Sequence, residues 1–566
     1  MRVNARETLL CVFILLSCSP KSPPNSGGAN KLAERPYCGE VKQVNGAVQF
    51  SGSARFERRL ATPMGLGDTD PDLLPIRYAE IQILSGESVI QCSETDGNGN
   101  FLVNVPSGNQ PLTVRVLSRA QNQYLNASVL NNPTDSVPFS IEATATPDAT
   151  KDIGTIVAPA KGNLQGGAFN ILDQVLRAND FLRAQTQGCS TLNSGCSPFS
   201  VAPKAQIFWT PGVNPGTYFG ISGGISFFVS DYNQLFILGG IDGDVNNSDT
   251  DHFDNIVILH EYGHFLEHQY SKSDSPGGSH DANSIIDPRL AWSEGWANFF
   301  ALAVSGETEY RDTYGNSDGV TGYFFKTDLE RHPPTRDIPG RAGEGNFREF
   351  SISRALWDLI DPHPISKKGA NEGANDQVTG PFSELWATLT SPQLFASPSV
   401  SFRNYGLFMQ LRSTLSQPTD MSAIFSAEKQ RPDRRDYALK DLQPGSCNYA
   451  LSSGAGETGS FATSNQFSSN DFFHVSHTGG TLTVRVDRTQ GTGDIDLYIY
   501  KDGYSFGTFG DMAIYSNRDT PGDGGVETAS QNLPAGNYMI NVMLYPLPGP
   551  ATADYSLTVN GVTLCP

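Results

Sequence analysis

The stretch VILHEYGHFLEH, residues 257–268, places His260 and His264 four residues apart, with Glu261 directly after the first histidine. On an α-helix, residues i and i+4 lie on one face about one turn apart, so both imidazoles can bind the same metal ion. A carboxylate at the position of Glu261 can hold a water molecule beside that ion. The alternative is an ordinary surface helix that carries two histidines.

A metal site of this kind needs a third protein ligand and one open position. The stretch LAWSEGWANFF, residues 290–300, carries Glu294 among Leu, Trp, Ala and Phe residues. A carboxylate in such apolar surroundings is unfavourable unless it is paired or bound to a metal. We therefore predict that Glu294 is the third ligand, and a glutamate on a helix surface is the alternative.

The His-Glu-x-x-His motif together with Glu294-x-x-x-Asn298 resembles the gluzincin metallopeptidases, the thermolysin-like class, and the Glu-Gly-Trp sequence that begins at Glu294 also resembles the fungalysins. The gluzincin pattern covers roughly residues 205–300. The resemblance implies an α+β zincin-like catalytic domain that binds Zn2+ through His260, His264 and Glu294.

The resemblance also implies an enzyme, a zinc-dependent endopeptidase acting on extracellular proteins. Glu261 would activate a zinc-bound water and pass its proton to the leaving amine. Asn298 stands where the family usually has a carboxylate that holds the first histidine, so this contact would carry no charge. The family's oxyanion-stabilising His or Tyr has no unambiguous counterpart, and Tyr323, His332 and Arg354 are the candidates.

Two neighbouring stretches bear on substrate and cation binding. The glycine-rich residues 218–229 are predicted to form an edge strand on which a peptide substrate lies, and a plain core hairpin is the alternative. Residues 242–251 have oxygen-bearing side chains at alternate positions, as calcium loops do, but lack the bidentate Glu of an EF-hand. Either a bound Ca2+ or an acidic turn before the next helix fits this pattern.

Three further polar residues lie close to the motif in the sequence. His268 is one helical turn past His264 and could be a rival ligand, but successive four-residue steps drift around a helix, so it is expected to be exposed at the mouth of the cleft. His280 and Asp281 are expected to shape the loop over the site.

The N-terminus has the pattern of an export signal. Two arginines precede a short apolar core that ends in LLSC, which resembles a bacterial lipobox with Cys18 as the lipidated residue. Residues 1–18 are thus predicted to be a lipoprotein signal peptide and residues 19–36 a flexible tether. The expected location is the bacterial outer membrane or cell surface by a lipid anchor, with ordinary secretion as the alternative.

Six cysteines follow Cys18, an even number in an exported chain. Their order predicts three disulfides, although six cysteines allow fifteen connectivities. The predicted pairs are Cys38–Cys92, Cys189–Cys196 and Cys447–Cys565.

Alternating apolar and polar residues predict β-structure on both sides of the central region. Residues 37–160 resemble the carboxypeptidase regulatory-like β-sandwich, with strands at 79–84 and 101–105 joined by a hairpin turn at 95–100. Residues 446–566 resemble the bacterial pre-peptidase C-terminal domain, a β-sandwich or jelly roll. The chain is therefore predicted to be multidomain, with residues 161–445 as the metallopeptidase domain.

The composition limits the partners. A net charge of −20 argues against nucleic acid as a partner. We expect a protein or peptide substrate and a monomeric chain. The alternative function is a catalytically weak zincin-fold lipoprotein that binds or adheres at the surface, and a glycan-binding adhesin built from the β-sandwiches is a third class.

Overall fold

Three regions of sheet and helix follow one another along the chain. The computed structural model describes residues 15–17, 38, 45, 48–70, 72–192, 196–280, 282, 284–314, 323–330, 344–360, 378–415, 421–428, 430, 440–441, 443–445, 447, 449–452, 469–501, 513–517, 525–544 and 551–565. Cys18, Asp281 and His332 lie outside these ranges, and the side chains of Tyr323 and Cys565 are not described.

The N-terminal region contains two four-stranded sheets and a small two-stranded sheet formed by β3 and β4. Its strands, preceded by β1 (Leu15–Ser17), are β2 (Val48–Phe56), β3 (Arg59–Thr62), β4 (Gly65–Thr69), β5 (Leu74–Pro75), β6 (Glu80–Ser85), β7 (Ser88–Glu94), β8 (Asn100–Val105), β9 (Leu112–Leu117), β10 (Arg119–Gln121), β11 (Asn126–Leu130), β12 (Ser140–Ala145) and β13 (Lys151–Ala158). One sheet has the order β12-β9-β6-β7, and the other contains β13, β2 and β5 with β8 paired to β2. Along β8, Phe101, Val103 and Val105 point into the core between exposed neighbours, as a half-buried strand requires.

The turn at residues 95–100 does not close a hairpin between the two strands that the sequence predicted it to join. β6 pairs with β7, whereas β8 pairs with β2 in the other sheet. The turn itself is tight, because Asp96 Oδ1 accepts the backbone N–H groups of Asn98 and Asn100 at 2.8 Å each. It therefore carries the chain from one sheet to the other.

The central region joins a mixed sheet to a group of helices. Its strands are β14 (Ala205–Phe208), β15 (Phe227–Val229), β16 (Gln234–Phe236), β17 (Gly278–His280), β18 (Glu309–Thr313) and β19 (Tyr323–Asp328). The main sheet has the order β10-β11-β14-β16-β15, with β11, β14 and β16 parallel and an antiparallel strand at each edge. This sheet crosses the predicted boundary at residue 160, because β10 and β11 come from the segment assigned to the N-terminal sandwich.

The central region also contains the α-helices, two of which carry the candidate metal ligands. They are α1 (Gln165–Gln185), α2 (Asn255–Tyr270), α3 (Pro288–Ser305), α4 (Glu349–Trp357), α5 (Phe382–Thr390), α6 (Tyr405–Arg412) and α7 (Ser422–Ala427), with short 3-10 turns at Gln187–Thr191 and Pro215–Phe219. α3 begins where Asp287 accepts the N–H of Arg289 at 2.9 Å before a proline in the first turn, and it ends at Gly306 with φ of 72°.

A glycine lets α2 and α3 pack at close range. A Cβ atom on Gly263 would lie 3.1 Å from Cα of Ala297 and 3.4 Å from Cδ1 of Phe300. Any larger side chain would therefore push the two helices apart. This contact stands beside His264 on α2 and so helps to set the distance between the two helices at the site.

The C-terminal region is a second pair of sheets around its own core. Its strands are β20 (Lys440–Asp441), β21 (Gln443–Pro444), β22 (Tyr449–Ser452), β23 (Asn470–His477), β24 (Gly480–Gly491), β25 (Ile495–Lys501), β26 (Ala513–Asn517), β27 (Val526–Leu533), β28 (Gly536–Leu544), β29 (Thr552–Val559) and β30 (Val562–Cys565). The sheets have the orders β20-β23-β28-β25-β26 and β21-β30-β29-β24-β27, with β22 paired to β29. The multidomain, strand-rich architecture of the prediction is thus confirmed.

Two of the three predicted disulfides are confirmed, Cys38–Cys92 and Cys189–Cys196. Cys447 is also disulfide-bonded, and β21 places Gln443 opposite Cys565 in β30. Because the side chain of Cys565 is not described, the pair Cys447–Cys565 stays a prediction. None of the helices described is both long and apolar enough to cross a bilayer.

Candidate metal centre

Three ligand atoms from α2 and α3 converge at one point. Nε2 of His260 lies 3.1 Å from Nε2 of His264, and Oε2 of Glu294 lies 3.2 Å from each of these nitrogens. A tetrahedral zinc ion with bonds of about 2.0–2.2 Å holds its ligand atoms roughly 3.3–3.5 Å apart. All three side chains are buried. The residues therefore fit a single zinc ion on the three ligands that the sequence selected.

Asn298 holds the first histidine from the second helix. Its Oδ1 lies 2.8 Å from Nδ1 of His260, and its side chain is buried. An amide oxygen can only accept, so Nδ1 of His260 carries the proton and Nε2 is left with a free lone pair facing the site. The uncharged amide thus fixes the ring and tautomer that metal binding requires.

The second histidine is held by a contact that the sequence reasoning missed. Oγ of Ser293 lies 3.2 Å from Nδ1 of His264 and donates its own proton to Oε2 of Glu267 at 2.7 Å. Trp292 Nε1 donates to the other oxygen of Glu267 at 2.8 Å. Ser293 can therefore accept the N–H of His264, which again leaves Nε2 free. The sequence did offer one sign of this contact, because Glu267, like Glu294, is a carboxylate in a mostly apolar helix.

His280, the last residue of β17, approaches Glu294 from the segment before α3. Its Nδ1 lies 2.6 Å from Oε2 of Glu349 on α4, and its Nε2 lies 3.7 Å from Oε1 of Glu294. Burial alone would raise the pKa of Glu294, but the neighbouring His264 and His280 outweigh it and hold that pKa well below the ordinary range. Glu294 is therefore ionised, as a metal ligand must be.

Glu261 has a buried carboxylate without a protein partner. Its side chain is 6% exposed, and its Oε2 has no hydrogen bond. Burial raises the pKa of Glu261 to about 7, with the charge of His260 opposing the shift and those of Glu294 and Asp251 adding to it. A carboxyl group with this pKa can both accept and return a proton near neutral pH.

The remaining predicted residues lie elsewhere or have other partners. His268 is exposed, with its ring 5.6 Å from that of Phe228, and it does not join the three ligands. The guanidinium of Arg354 is buried and bonded to both oxygens of Glu428 at 2.7 and 2.8 Å. This ion pair gives Arg354 a structural role and removes the basis for choosing it as an oxyanion donor.

A tyrosine that the sequence analysis did not select packs against the ligand cluster. The ring of Tyr310, on β18, lies 6.1 Å from that of His260 in an edge-on arrangement. Burial raises the pKa of Tyr310 well above its usual value, and the charges of Asp312 and Glu261 add to the shift. The phenol is thus neutral, and it interacts electrostatically with the carboxylate of Glu261.

The predicted edge strand is shorter than the sequence indicated. Only Phe227–Val229 forms a strand, β15, at the open edge of the main sheet, while residues 218–226 form a 3-10 turn and loop. Phe228 packs edge-on against Phe265 of α2 at 6.1 Å. β15 therefore lies next to the helix that carries two of the candidate ligands.

The acidic run at residues 242–251 divides into two parts. Asp242 is exposed, and Asp244 Oδ1 accepts the N–H groups of Asn246 and Asn247 at 2.9 Å, which forms an ordinary Asx turn. Asp249 and Asp251, in contrast, are buried. The evenly spaced loop that the sequence proposed for calcium is therefore not the arrangement that the structure shows.

Comparisons with known proteins relate the central region to a peptidase family. Residues 197–424, less than half of the chain, match the family described as the Mycolysin C-terminal domain. A relative from Archaeoglobus fulgidus, described as an uncharacterized protein, is 28% identical over 123 residues, which are 20% of this chain. The chain spans 30% of the length of that relative.

Two solved structures share a weak likeness with parts of the chain. The pre-peptidase C-terminal domain of collagenase from Bacillus anthracis is matched over its whole length and 22% of this chain, with 12% identity and a TM-score of 0.16. The lysozyme inhibitor PliG of Aeromonas hydrophila is matched over 96% of its length and 22% of this chain, with 15% identity and a TM-score of 0.15. At these TM-scores the likeness does not define the fold.

Proposed function

We propose that the chain is an exported zinc-dependent endopeptidase that hydrolyses peptide bonds of extracellular proteins. The observation that carries the proposal is the convergence of His260, His264 and Glu294 within 3.2 Å of one another, with the unpartnered carboxylate of Glu261 on the same helix. The match of residues 197–424 to a peptidase family supports it.

The residues divide the chemistry among them. A zinc ion on the three ligands would supply Lewis acidity and lower the pKa of a water molecule. Glu261 would take the proton from the attacking water and return it to the leaving amine, for which its raised pKa is suited. Asn298 and Ser293 would keep the two imidazoles in the orientation that leaves Nε2 free.

The substrate would lie along β15. An extended peptide can add to an open sheet edge through main-chain hydrogen bonds, which bind it without demanding a particular sequence. β15 offers such an edge next to α2, so a peptide paired with Phe227–Val229 would run beside the ligand cluster. Tyr310 is buried, and its ring packs against that of His260. Its phenol is therefore the hydrogen-bond donor to test for stabilising the oxyanion.

The proposed enzyme is exported and held at the cell surface by a lipid anchor. Disulfides such as Cys38–Cys92 and Cys189–Cys196 persist in oxidising compartments, which agrees with export. We propose Cys18 as the site of a lipid anchor that holds the enzyme at the outer membrane or cell surface. Mass spectrometry of the N-terminal peptide tests this, because a mature chain that begins with unmodified residues before or after Cys18 contradicts lipidation.

The decisive experiment compares wild type with Glu261→Gln for zinc content and for cleavage of casein, gelatin and a diverse peptide library. The variant should keep one zinc per chain and lose cleavage by at least about 100-fold, the scale of a lost general base. Glu142→Gln, a change on β12 in the N-terminal region, is the matched control and should cleave like wild type.

The same experiment separates the enzyme from a binding protein. If wild type holds zinc but neither protein cleaves any substrate, the chain is a zincin-like binding protein rather than a peptidase. If Glu294→Ala binds as much zinc as wild type, the proposed ligand set is wrong.

A further inference from the structure

The central strands of one C-terminal sheet are buried on both faces. β23, β28 and β25 are neighbours in that sheet, and every side chain is buried from Ile495 to Tyr500 on β25 and from Tyr538 to Leu544 on β28. Successive side chains of a strand point to opposite faces, so an unbroken buried run means that both faces are covered. An antiparallel sheet more often leaves one face to solvent. Another part of the chain must therefore cover the second face.

The two faces of this sheet belong to different apolar cores. Leu497 and Ile540 are examples of the face that packs into the core of the C-terminal region itself. The side chains of the opposite face join the core that runs through the central region, and they are Phe472, Tyr498, Tyr500, Met539 and Met543. Alternate residues along each strand thus divide between the two cores, and the central region covers the second face.

Phe472, on β23, contacts two aromatic residues of the central region. Its ring lies 4.9 Å from that of Phe402, which precedes α6, and 6.0 Å from that of Phe347, which precedes α4. All three side chains are buried. Aromatic pairs at such separations stabilise an interface beyond the area that they bury. Phe473, the next residue on the strand, belongs to the core of the C-terminal region.

The backbone of Phe402 is held in a conformation that bulky residues rarely adopt. Its φ is 57°, in the left-handed region. Such a conformation persists only where the surroundings fix the residue. The ring of Phe402 packs against Phe472, and Cζ of Arg289 lies 5.2 Å from its centroid. The groups that fix Phe402 therefore include a side chain of the C-terminal region.

Both aromatic residues of the central region contact the beginning of α3, the helix that carries the third ligand. Arg289, which stacks on one of them, is in the first turn of α3 and bonds both oxygens of Asp287 at 2.9 and 2.8 Å. The N–H of Ile286, just before that aspartate, donates to the carbonyl oxygen of Phe347 at 2.9 Å. The start of α3 is thus attached to the surface that the C-terminal region covers.

A second set of contacts leads from the same surface to the ligand itself. Phe347 stands two residues before Glu349, at the first position of α4. Oε2 of Glu349 lies 2.6 Å from Nδ1 of His280, and Nε2 of that histidine lies 3.7 Å from Oε1 of Glu294. The helix of Glu294 and its charged neighbour are therefore both supported from the place where the C-terminal region packs.

We propose that the C-terminal region stays docked on the central region in the mature protein, with Phe472 at the centre of the interface, and that this contact supports the position of Glu294. The second part rests on the proposed zinc ligands, and the first does not. If the two regions separated, five large apolar side chains would be exposed in one patch, which soluble proteins avoid. Removal of the C-terminal region from the chain would therefore weaken zinc binding.

The test uses the full chain with a specific protease site inserted between residues 430 and 440, which connect the two regions. After cleavage, size-exclusion chromatography without denaturant shows whether the fragments stay together, and competition with a chromophoric chelator gives the zinc affinity. Cleaved wild type should elute as one complex and keep its zinc affinity. Cleaved Phe472→Asp should separate, because docking would bury an unpaired charge, and should bind zinc about tenfold more weakly. Val526→Asp, a change at an exposed position of β27, should behave like wild type.

The outcomes separate the two parts of the proposal. Separation of cleaved wild type would overturn the docking. If Phe472→Asp separates but binds zinc as tightly as wild type, the interface does not support Glu294. If Phe472→Asp does not fold, Phe472→Ala, which introduces no charge, takes its place with the same expectations at smaller magnitude. Association of the fragments is also measured in zinc-free protein, so a failure of the peptidase proposal leaves this measurement unchanged.

Discussion

Replacing Asn298 with alanine tests whether the zinc site depends on the orientation of His260. The 2.8 Å contact between Asn298 Oδ1 and Nδ1 of His260 is buried, so the substitution leaves an imidazole N–H without an acceptor. An unsatisfied buried donor costs about 1–3 kcal/mol. The loss of such an orienting partner typically weakens metal binding by about 10- to 100-fold, or roughly 1.4–2.8 kcal/mol. We therefore expect zinc affinity to fall within that range.

The assay is competition for zinc with a chromophoric chelator, together with Tm measured with and without zinc. Asn298→Asp should bind zinc at least as tightly as wild type, because an ionised acceptor makes a stronger hydrogen bond. Asn404→Ala is the control for a general loss of stability. Asn404 is buried and caps α6 by accepting the N–H of Leu407 at 3.0 Å, on a helix that carries none of the three ligands.

The outcome distinguishes an orienting contact from ordinary packing. If Asn298→Ala and Asn404→Ala lose similar stability while both keep the zinc affinity of wild type, Asn298 does not position His260 for metal binding. The reasoning from the hydrogen bond to the metal would then be refuted even if the three ligands are correct.

Three further predictions concern packing, covalent links and pH. Gly263→Ala should weaken zinc binding several-fold and lower Tm, because its methyl group would lie 3.1 Å from Cα of Ala297; wild-type affinity would show that the helices can shift freely. Removing the Cys38–Cys92 disulfide, which spans 54 residues, by double alanine substitution should lower the free energy of unfolding by up to about 4 kcal/mol in urea titration, and an unchanged midpoint would contradict this. In calcium-free protein the stability should fall as pH rises from about 4 to 7, because the folded chain keeps protons on buried carboxylates such as Asp251, with its pKa of about 7, that the unfolded chain releases. Tm measured across the pH range will show this slope, and a Tm that does not fall would contradict it.

Much of the local structure could be predicted from the sequence because it depends on short-range patterns. The apolar spacing around His260 predicts a helix, and α2 covers it. Alternation in residues 101–105 predicts a strand, and β8 covers it. The pairing of strands could not be predicted in this way. The turn at residues 95–100 has the residues typical of a hairpin turn, yet it joins strands of two different sheets. Turn residues set the direction of the chain locally, while the partner of a strand is chosen by distant packing.

The candidate site shows the same division. Helix geometry alone places two histidines four residues apart on one face. Glu294 can be recognised because it is a carboxylate in an apolar stretch. Ser293 has no such signal, because a serine in a helix has no distinctive pattern until the fold brings it to His264. By sequence, Arg354 was as plausible an oxyanion donor as Tyr323 or His332. Only the structure shows that its guanidinium forms an ion pair with Glu428.

The sequence by itself indicated the candidate ligand types, the helix that carries two of them and the two cysteine pairs that the structure contains, because each depends on residue chemistry or on spacing along the chain. The tertiary structure alone decided which distant groups meet. It placed Asp312 with Asp249 and Asp251 across about 60 residues, and it brought β10 and β11 into the central sheet across the predicted domain boundary. Burial is a property of the packed chain, so only the structure shows that one oxygen of each of these carboxylates is buried without a hydrogen-bond partner.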